Sequence, residues 1–261
     1  MDEHLLSIAE NANTHQPLVR GHERIENERF VLWMGPGAHP SSNVAQRLRL
    51  TPETIDNTVE EVHALLRERG RSACTWEIGS SATPPDLAEQ LRARGLVDDR
   101  DPYAVGMVLT EPPPPPEDIE ARVARDFDEF RAAQRVAEEA FGGDVGMDDE
   151  QLRARYEEQL ATGAWKTFVA LLDSEIVASA SSTYVEGAVT LNGGAVLPRA
   201  RGRGAYRALV AARWADAVER GTPALVTQAG AMSKPILERL GFRSVAEITI
   251  LLDEFDPALS E

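Results

Sequence analysis

The fold is decided by the stretch Val196-Leu197-Pro198-Arg199-Ala200-Arg201-Gly202-Arg203-Gly204-Ala205-Tyr206-Arg207-Ala208-Leu209. It predicts the end of a strand, then a turn with two glycines, then the start of a helix. The first N–H groups of a helix have no intrahelical partner, and the helix dipole is positive at that end. Because glycines also let a ligand approach the backbone closely, the stretch predicts an anion-binding cradle.

Arginines surround this turn. Residues 199 to 213 contain no acidic residue and five arginines, namely Arg199, Arg201, Arg203, Arg207 and Arg213. The whole chain is acidic, with 27 Lys+Arg against 43 Asp+Glu and a formal net charge of -16. A phosphorylated ligand is the simplest reason for the local positive charge. The alternative is a tight turn with solvated arginines, since short glycine patterns are weak indicators of a site.

Composition excludes several other classes of protein. The net acidity disfavours a nucleic-acid-binding protein, because phosphate affinity needs a basic face. Cys74 is the only cysteine, which excludes intramolecular disulfides and cysteine-cluster metal sites, so we expect no metal. No apolar run approaches the ~18 residues of a membrane span, and the N-terminus does not resemble a signal peptide. We therefore expect a cytoplasmic protein that binds no membrane.

The length of 261 residues predicts one large domain or two small ones. Five consecutive prolines, Pro112 to Pro116, favour a stiff extended spacer. The predicted organisation is therefore an N-terminal unit over 1–111, a polyproline linker over 112–116 and a second domain over 117–261.

Hydrophobic periodicity predicts an α/β (α+β) fold with a mixed, mostly antiparallel sheet flanked by helices. In the first half, the predicted elements are the strands Phe30–Met34, Ser72–Ile78 and Tyr103–Leu109 and the helix Pro52–Arg69. In the second half, the predicted helices are Ile119–Phe141 after a short strand, Asp148–Leu160, Gly204–Arg220 and Ser233–Leu240. The predicted strands there are Trp165–Leu172, Glu175–Tyr184, Ala188–Leu197, Ala224–Gln228 and Val245–Leu252.

The pattern Val-x-Pro-x-x-Arg-Gly-x-Gly at 196–204, followed by Arg-Ala-Leu at 207–209, resembles the acetyl-CoA-binding motif of the GNAT superfamily of N-acyltransferases. The helix over 233–240 before Gly241-Phe242 resembles that family's next motif, and the element order of 117–261 agrees. Residues 53–110 resemble the last helix–strand–helix–strand part of the same fold without the Arg-Gly-x-Gly loop. The resemblance implies two tandem units, of which the N-terminal one is degenerate.

The resemblance also implies a set of site residues. The strand before the loop would pair with the pantetheine arm of acetyl-CoA through Ala195, Val196 and Leu197. A backbone N–H near Leu197 would stabilise the oxyanion of the reacting thioester. The residues that would hold the pyrophosphate are Arg201, Gly202, Arg203, Gly204, Ala205 and Tyr206.

Two further residues are candidates for catalytic roles. Ser233 would contact the cofactor or lend a proton, and its alternative role is a plain helix cap. Asn192, a polar residue of the strand that precedes the loop, would orient a water, and its alternative role is an outward-facing strand position. No general base is assigned.

The implied activity is transfer of the acetyl group from acetyl-CoA to a primary amine of a small molecule or peptide, by direct attack. Residues 111–158 contain six arginines against fifteen acidic residues, with an acidic cluster at Asp144, Asp148, Asp149 and Glu150. This negative field predicts a cationic acceptor, and the alternative is that the acids are solvated helix faces and caps.

Other functions stay open. A non-catalytic acyl-CoA-binding regulatory module is the first alternative. Leu237 occupies the position of the tyrosine acid frequent in the family, and the strand over 188–197 has no carboxylate. A different phosphate-ligand enzyme that uses the same loop is the second. The oligomeric state is also open, with a homodimer as one candidate.

Overall fold

The computed structural model describes residues 2–37, 39–116, 119–142 and 147–255. The helices are α1 (Glu3–Glu10), α2 (Ile55–Arg67), α3 (Leu87–Arg92), α4 (Phe127–Phe141), α5 (Asp149–Thr162), α6 (Ala205–Glu219) and α7 (Lys234–Arg239). The first strands are β1 (Glu23–Glu26), β2 (Val31–Met34), β3 (Asn43–Gln46), β4 (Ala73–Gly79), β5 (Val97–Leu109) and β6 (Glu120–Val123). The remaining strands are β7 (Trp165–Leu172), β8 (Glu175–Val185), β9 (Ala188–Val196), β10 (Leu225–Ala229) and β11 (Arg243–Glu254).

The strands and helices predicted from hydrophobic periodicity are present, most of them within a few residues of their predicted ends, and the predicted fold class is confirmed. Strand β7 has the predicted bounds, and α6 is one residue shorter at each end than predicted. The short elements α1, β1 and β3 were not predicted. All four residues of β3 are buried, so the alternation that marks a half-buried strand is absent there.

The chain divides into two compact units. The first contains Met1–Met107, Gln228–Pro235 and Ser244–Glu261, and the second contains Val108–Thr227 and Ile236–Arg243. The division falls before the polyproline run, whereas the sequence predicted a boundary within that run. The greater difference is that most of β11, which was expected in the second domain, belongs to the first unit.

In the first unit, the strand order is β1-β2-β3-β4-β11-β5. Strands β3 and β4 are parallel, with Val44 opposite Thr75, and α2 connects them. Strand β11 pairs antiparallel with β4 over seven residue pairs, from Ile248 opposite Gly79 to Glu254 opposite Ala73. This pairing joins residues far apart in sequence, which element order alone does not reveal.

In the second unit, the strand order is β6-β7-β8-β9-β10. Strands β6 to β9 pair antiparallel. The hairpin turn between β7 and β8, at Asp173-Ser174, has φ values of +49° and +69°, as tight hairpin turns require. Strand β10 then pairs parallel with β9, and α6 connects the two. Side chains of α4, β7, β8, β9 and α6 form the core of this unit.

Within the described ranges, no helix combines the length and the apolar character that crossing a bilayer requires.

Candidate functional site

The residues predicted to hold a pyrophosphate lie in the loop between β9 and α6. After β9 ends at Val196, a single 3₁₀ turn over Pro198–Ala200 leads to Gly202, with φ of +74°, and Gly204, with φ of +86°. A Cβ added to Gly202 would meet no atom within 4 Å. The left-handed backbone, rather than crowding, therefore favours glycine at this position.

The backbone N–H groups of this loop are available to a ligand. Within the described part of the chain, the N–H groups of residues 202–206 have no backbone hydrogen-bond partner. At this end of α6, the Ala208 N–H donates to the Gly204 carbonyl oxygen at 3.0 Å. Helix α6 is fifteen residues long, and the positive end of its dipole lies at these N–H groups, so it also attracts an anion. The cradle residues therefore fit a pyrophosphate group.

Only part of the predicted arginine cluster faces this loop. Arg199 forms ion pairs with Glu139, at 3.3 Å, and with Glu175. Arg213 is 1% exposed, and its Nε donates to the Leu209 carbonyl oxygen at 3.1 Å. Arg199 is therefore engaged in ion pairs and Arg213 lies in the core, so the local positive charge does not all face the loop.

The remaining loop arginines are exposed. The Nε of Arg201 donates to the Val196 carbonyl oxygen at 3.4 Å, which holds the side chain over its own loop. For Arg203, no ion pair is found among the residues that the structure describes. These two side chains are the ones available to an anion at the start of α6.

A β-bulge in β9 was missed by sequence reasoning. Ser179 is opposite Ala195, but Ser181 is opposite Asn192, so β9 has one residue more than β8 between these pairs. Gly193, inside this interval, has φ of +56°. A bulge leaves its extra residue outside the regular ladder and bends the strand. The adjacent glycines in Asn192-Gly193-Gly194-Ala195 were the sequence signal that could have indicated it.

The Leu197 N–H cannot act as the predicted oxyanion donor in this structure. It donates a hydrogen bond of 3.0 Å to the Val177 carbonyl oxygen of β8. Leu197 itself is 2% exposed. The prediction is therefore corrected, because this N–H already has a partner and a second acceptor would have to displace it.

The other strand residues of the predicted site lie on β9. Ala195 is buried and opposite Ser179, while Val196 is half-buried and opposite Ala178. The Asn192 side chain is exposed, and its Nδ2 donates to Thr183 Oγ1 at 3.1 Å. Asn192 is therefore already held by its neighbouring strand.

Ser233 belongs to the first unit, whereas the cradle lies in the second. Its hydroxyl donates to the Gly230 carbonyl oxygen at 3.3 Å, within the turn that precedes α7. This contact orders the turn and differs from a helix-cap bond, in which the side chain accepts from an N–H group, so the predicted roles of Ser233 stay predictions.

Strands β9 and β10 separate beside the bulge. Their paired residues are Leu225 with Val189 and Val226 with Thr190, after which β9 continues to Val196 without a further paired residue from β10. A short parallel pairing that ends early leaves one strand's backbone groups free to pair with an extended ligand.

A cleft of about 190 Å³ lies next to the bulge within the second unit. Gly193 of β9 lines it. The other lining residues come from α4, α5, β7 and β8 and are Ala133, Gln134, Ala137, Phe141, Arg155, Trp165, Thr167, Ser179, Ala180 and Ser181. None of the polar residues of this cleft was predicted, because they are spread over four elements and form no motif.

Hydrogen bonds order two polar side chains of this cleft. Ser179 Oγ donates to the Ala133 carbonyl oxygen at 2.8 Å, and Thr167 Oγ1 donates to Gln159 Oε1 at 2.8 Å. Both bonds are buried, so the walls formed by β7 and β8 are held against α4 and α5.

The acidic cluster has structural roles at α5. Asp148 is the N-cap of this helix, accepts from the Gln151 N–H at 2.8 Å and forms a capping box. Asp149 forms an ion pair of 3.0 Å with Arg131 of α4. Asp144 lies outside the described residues. These contacts support the alternative that the acids are caps and helix faces, and they weaken the basis for a cationic acceptor.

Buried titratable groups also occur away from the cradle. In the second unit, burial raises the pKa of Tyr184, whose hydroxyl donates to Asp216 Oδ2 at 2.7 Å. In the first unit, burial raises the pKa of the Cys74 thiol well above its usual range, which makes it an unreactive core residue. Among the residues that the structure describes, no group of three or more His, Cys, Asp or Glu could hold a metal ion.

Comparisons with solved structures identify the fold. A GCN5-related N-acetyltransferase from Kribbella flavida is 20% identical, with a TM-score of 0.71 and coverage of 95% of each chain. A GCN5-related N-acetyltransferase from Sphaerobacter thermophilus is 18% identical, with a TM-score of 0.65 over 87% of this chain and 81% of that one. A tandem GNAT protein from the clavulanic acid biosynthesis pathway is 17% identical, with a TM-score of 0.60 over 97% of this chain and 94% of that one.

The comparisons at the level of sequence found no match: no family model and no curated protein matches the chain. The structural likeness nevertheless extends over nearly the whole chain and includes a protein with two units in tandem. The chain therefore has the fold of the GCN5-related N-acetyltransferases, in the tandem arrangement that its sequence motifs indicated.

Proposed function

We propose that this protein transfers the acetyl group of acetyl-CoA to a primary amine, with the catalytic centre in the second unit. The observation that carries the proposal is the cradle at the start of α6. Within the described part of the chain, the five consecutive N–H groups of residues 202–206 have no backbone partner, and two of these residues are left-handed glycines. The fold shared with GCN5-related N-acetyltransferases supports the same assignment.

The residues of the second unit have distinct tasks in this proposal. The N–H groups of residues 202–206 bind the pyrophosphate of the coenzyme, helped by the side chains of Arg201 and Arg203. The part of β9 that is unpaired with β10 binds the pantetheine arm. Acetyl-CoA supplies an activated thioester, which the neutral amine attacks directly.

The oxyanion donor is reassigned in this proposal. Because the Leu197 N–H is bonded to Val177, we assign the role to the backbone at the Gly193 bulge. A bulged residue is left out of the ladder, so its N–H can turn toward a ligand. One such donor typically contributes about 3 kcal/mol to transition-state stabilisation. The cleft beside Gly193 holds the acceptor amine.

A non-catalytic acyl-CoA-binding module is the second candidate. The observation that favours it is the composition of the cleft: no Asp, Glu or His is among its described lining residues. A neutral amine must form before attack, and no side chain of this cleft can accept the ammonium proton at neutral pH. In the enzymatic proposal, that proton passes to water.

The test combines cofactor binding with turnover. Titration calorimetry with acetyl-CoA measures binding, and release of the free thiol in the presence of a panel of primary amines measures transfer. The Gly202→Ala variant introduces strain of about 1 kcal/mol at a left-handed residue, and we expect it to lower acetyl-CoA affinity. Gly221→Ala is the matched control, because Gly221 has φ of +76° and open space around its Cβ position at the other end of α6.

The outcomes separate the candidates. Thiol release that depends on the amine, together with weakened binding in Gly202→Ala alone, supports the enzyme. Tight acetyl-CoA binding without turnover on any amine supports the binding module. Equal affinity in wild type and Gly202→Ala would contradict both, since each requires the cradle.

A further inference from the structure

The cleft beside the bulge has an unusual charge for this chain. The protein carries a formal net charge of -16, and residues 111–158 are themselves acidic. Yet Arg155 is the one charged residue among the described residues that line the cleft. A site that selected a purely cationic amine would be expected to expose a carboxylate rather than a guanidinium.

Arg155 is not used by the protein's own ion pairs. Within the described residues, no hydrogen bond or salt bridge is found for its guanidinium, whereas Arg131 and Arg122 on neighbouring elements are paired with acids. The surrounding protein atoms partly desolvate the cation and lower its pKa, although the side chain stays accessible to solvent. Glu158 on the same helix is an electrostatic neighbour that partly offsets this lowering, but Arg155 has no hydrogen bond or salt bridge to it. A cation in a concave site without such a bond can take an external anion.

The rest of the cleft fits a small organic molecule. Trp165 and Phe141 give it aromatic surfaces, and Gln134 and Ser181 give it uncharged polar groups. Its volume of about 190 Å³ is below the ~300 Å³ at which drug-sized pockets begin, so a small molecule or one end of a larger one fits. Gly193, at the proposed oxyanion site, lines the same cleft.

We propose that the acceptor is an amine that also carries a carboxylate, and that Arg155 binds this carboxylate while the amine lies toward Gly193. The inference rests on the proposed function and specifies its substrate class. A guanidinium can hold a carboxylate through two parallel N–H···O bonds, which fixes the orientation of the amine as well as its position. Arg155 is therefore a specificity-determining residue, and a carboxylate replaces the cationic acceptor that the sequence suggested.

The experiment compares each amino acid with its neutral amide. The probes are alanine with alaninamide, phenylalanine with phenylalaninamide, and 4-aminobenzoate with 4-aminobenzamide. Amine-dependent thiol release gives kcat and KM for the wild type, Arg155→Gln, Arg155→Lys and Arg153→Gln. The last variant is the matched control, because Arg153 is exposed on the same helix, stacks over the Phe127 ring at 4.1 Å and does not line the cleft.

We expect the wild type to prefer at least one acid over its amide by about 10-fold or more in kcat/KM, as one charged hydrogen-bonded contact provides. Arg155→Gln should raise KM for that acid by a similar factor and leave the amide unchanged. Arg155→Lys should restore part of the preference, and Arg153→Gln should keep all of it. An unchanged preference in Arg155→Gln, or turnover of amides and acids alike by the wild type, would overturn the inference and leave the proposed function standing.

A binding measurement keeps the test decisive in the absence of turnover. Calorimetry of the coenzyme A-loaded protein with N-acetylalanine, N-acetylphenylalanine and 4-acetamidobenzoate, each against its amide, reports the carboxylate site without chemistry. Preferential binding of an acid that depends on Arg155, without thiol release from any amine, supports the carboxylate site and contradicts the enzymatic proposal. Absence of both turnover and acid-selective binding overturns the inference.

Discussion

The ring of Tyr206 lies directly against Gly194, so that a Cβ on Gly194 would come within 2.7 Å of the ring carbon Cε2. The first turn of α6 is therefore packed on the bulged part of β9, within the second unit. Burial lowers the pKa of the Arg213 guanidinium, and the neighbouring Tyr206 opposes that shift. This packing joins the proposed pyrophosphate cradle to the proposed oxyanion site.

The Gly194→Ala variant should disturb both sites. An added methyl group at a packed contact typically costs 1–3 kcal/mol of stability. Because the Tyr206 ring must move, we expect a loss of about 2 kcal/mol in the free energy of unfolding and weaker acetyl-CoA binding. Urea denaturation and calorimetry measure the two effects.

A double variant checks the cause. In Gly194→Ala/Tyr206→Ala, the ring that clashes with the new methyl group is absent, so the cost of the Gly194→Ala change should be smaller than in the wild-type background. Equal costs in both backgrounds would mean that the bulge, rather than the ring contact, is sensitive to the methyl group.

Arg203 and Arg199 should differ in their effect on the cofactor. Arg203 has no ion pair among the described residues, whereas Arg199 is paired with Glu139 and Glu175. A charged hydrogen bond to a phosphate contributes about 1.5 kcal/mol or more, so Arg203→Gln should weaken acetyl-CoA binding about 10-fold. Arg199→Gln should change it less than about 3-fold, and salt titrations of binding should show a smaller slope only for Arg203→Gln.

Asp253 should be important for the stability of the first unit. Its Oδ2 accepts from Trp76 Nε1 at 2.9 Å and lies 2.8 Å from His63 Nε2, and all three side chains are buried. Asp253→Asn takes the charged acceptor away from both partners, because both contact Oδ2, at a cost of about 2–4 kcal/mol. Urea denaturation against Glu254→Gln, an exposed neighbour on the same strand, measures the difference. A change below about 0.5 kcal/mol would show that the buried contact contributes nothing net.

Glu77 should make stability fall as the pH rises. Burial raises its pKa from 4.5 to about 7, while a hydrogen bond with Gln228 opposes the shift. Because its pKa is higher in the folded than in the unfolded state, the protonated carboxyl group favours folding at a pH below its unfolded-state pKa. That contribution is lost as the pH rises through about 7. At about 1.4 kcal/mol per unit, the upper bound on the loss between pH 4.5 and 7 is roughly 3 kcal/mol.

The Glu77→Gln variant tests this pH dependence. Without an ionisable group at position 77, the decline in the free energy of unfolding between pH 5 and 8 should become smaller. Glu247→Gln, at an exposed position of β11, should keep the wild-type decline. Parallel pH profiles of the wild type and Glu77→Gln would contradict the raised pKa.

Much of the second unit could be predicted from local sequence. The strands β7 to β9 and helix α6 could be predicted from apolar residues that alternate or repeat every three to four positions. This works because the residues of each buried face lie within the element itself. The cradle could be predicted for the same reason, since Gly202 and Gly204 directly follow one element and precede another. The Leu197 assignment failed because the partner of that N–H, Val177, lies on a different strand.

The sequence by itself determined most of the helices and strands and the turn with two left-handed glycines, because hydrophobic periodicity and the left-handed freedom of glycine are local properties. Only the tertiary structure decided which side chains meet. It put β11 beside β4 in the first unit, and it brought Arg155 and Gly193 to one cleft from elements far apart in the chain. Such contacts depend on which faces pack together, and that is fixed by the burial of apolar surface over the whole fold rather than by any short stretch.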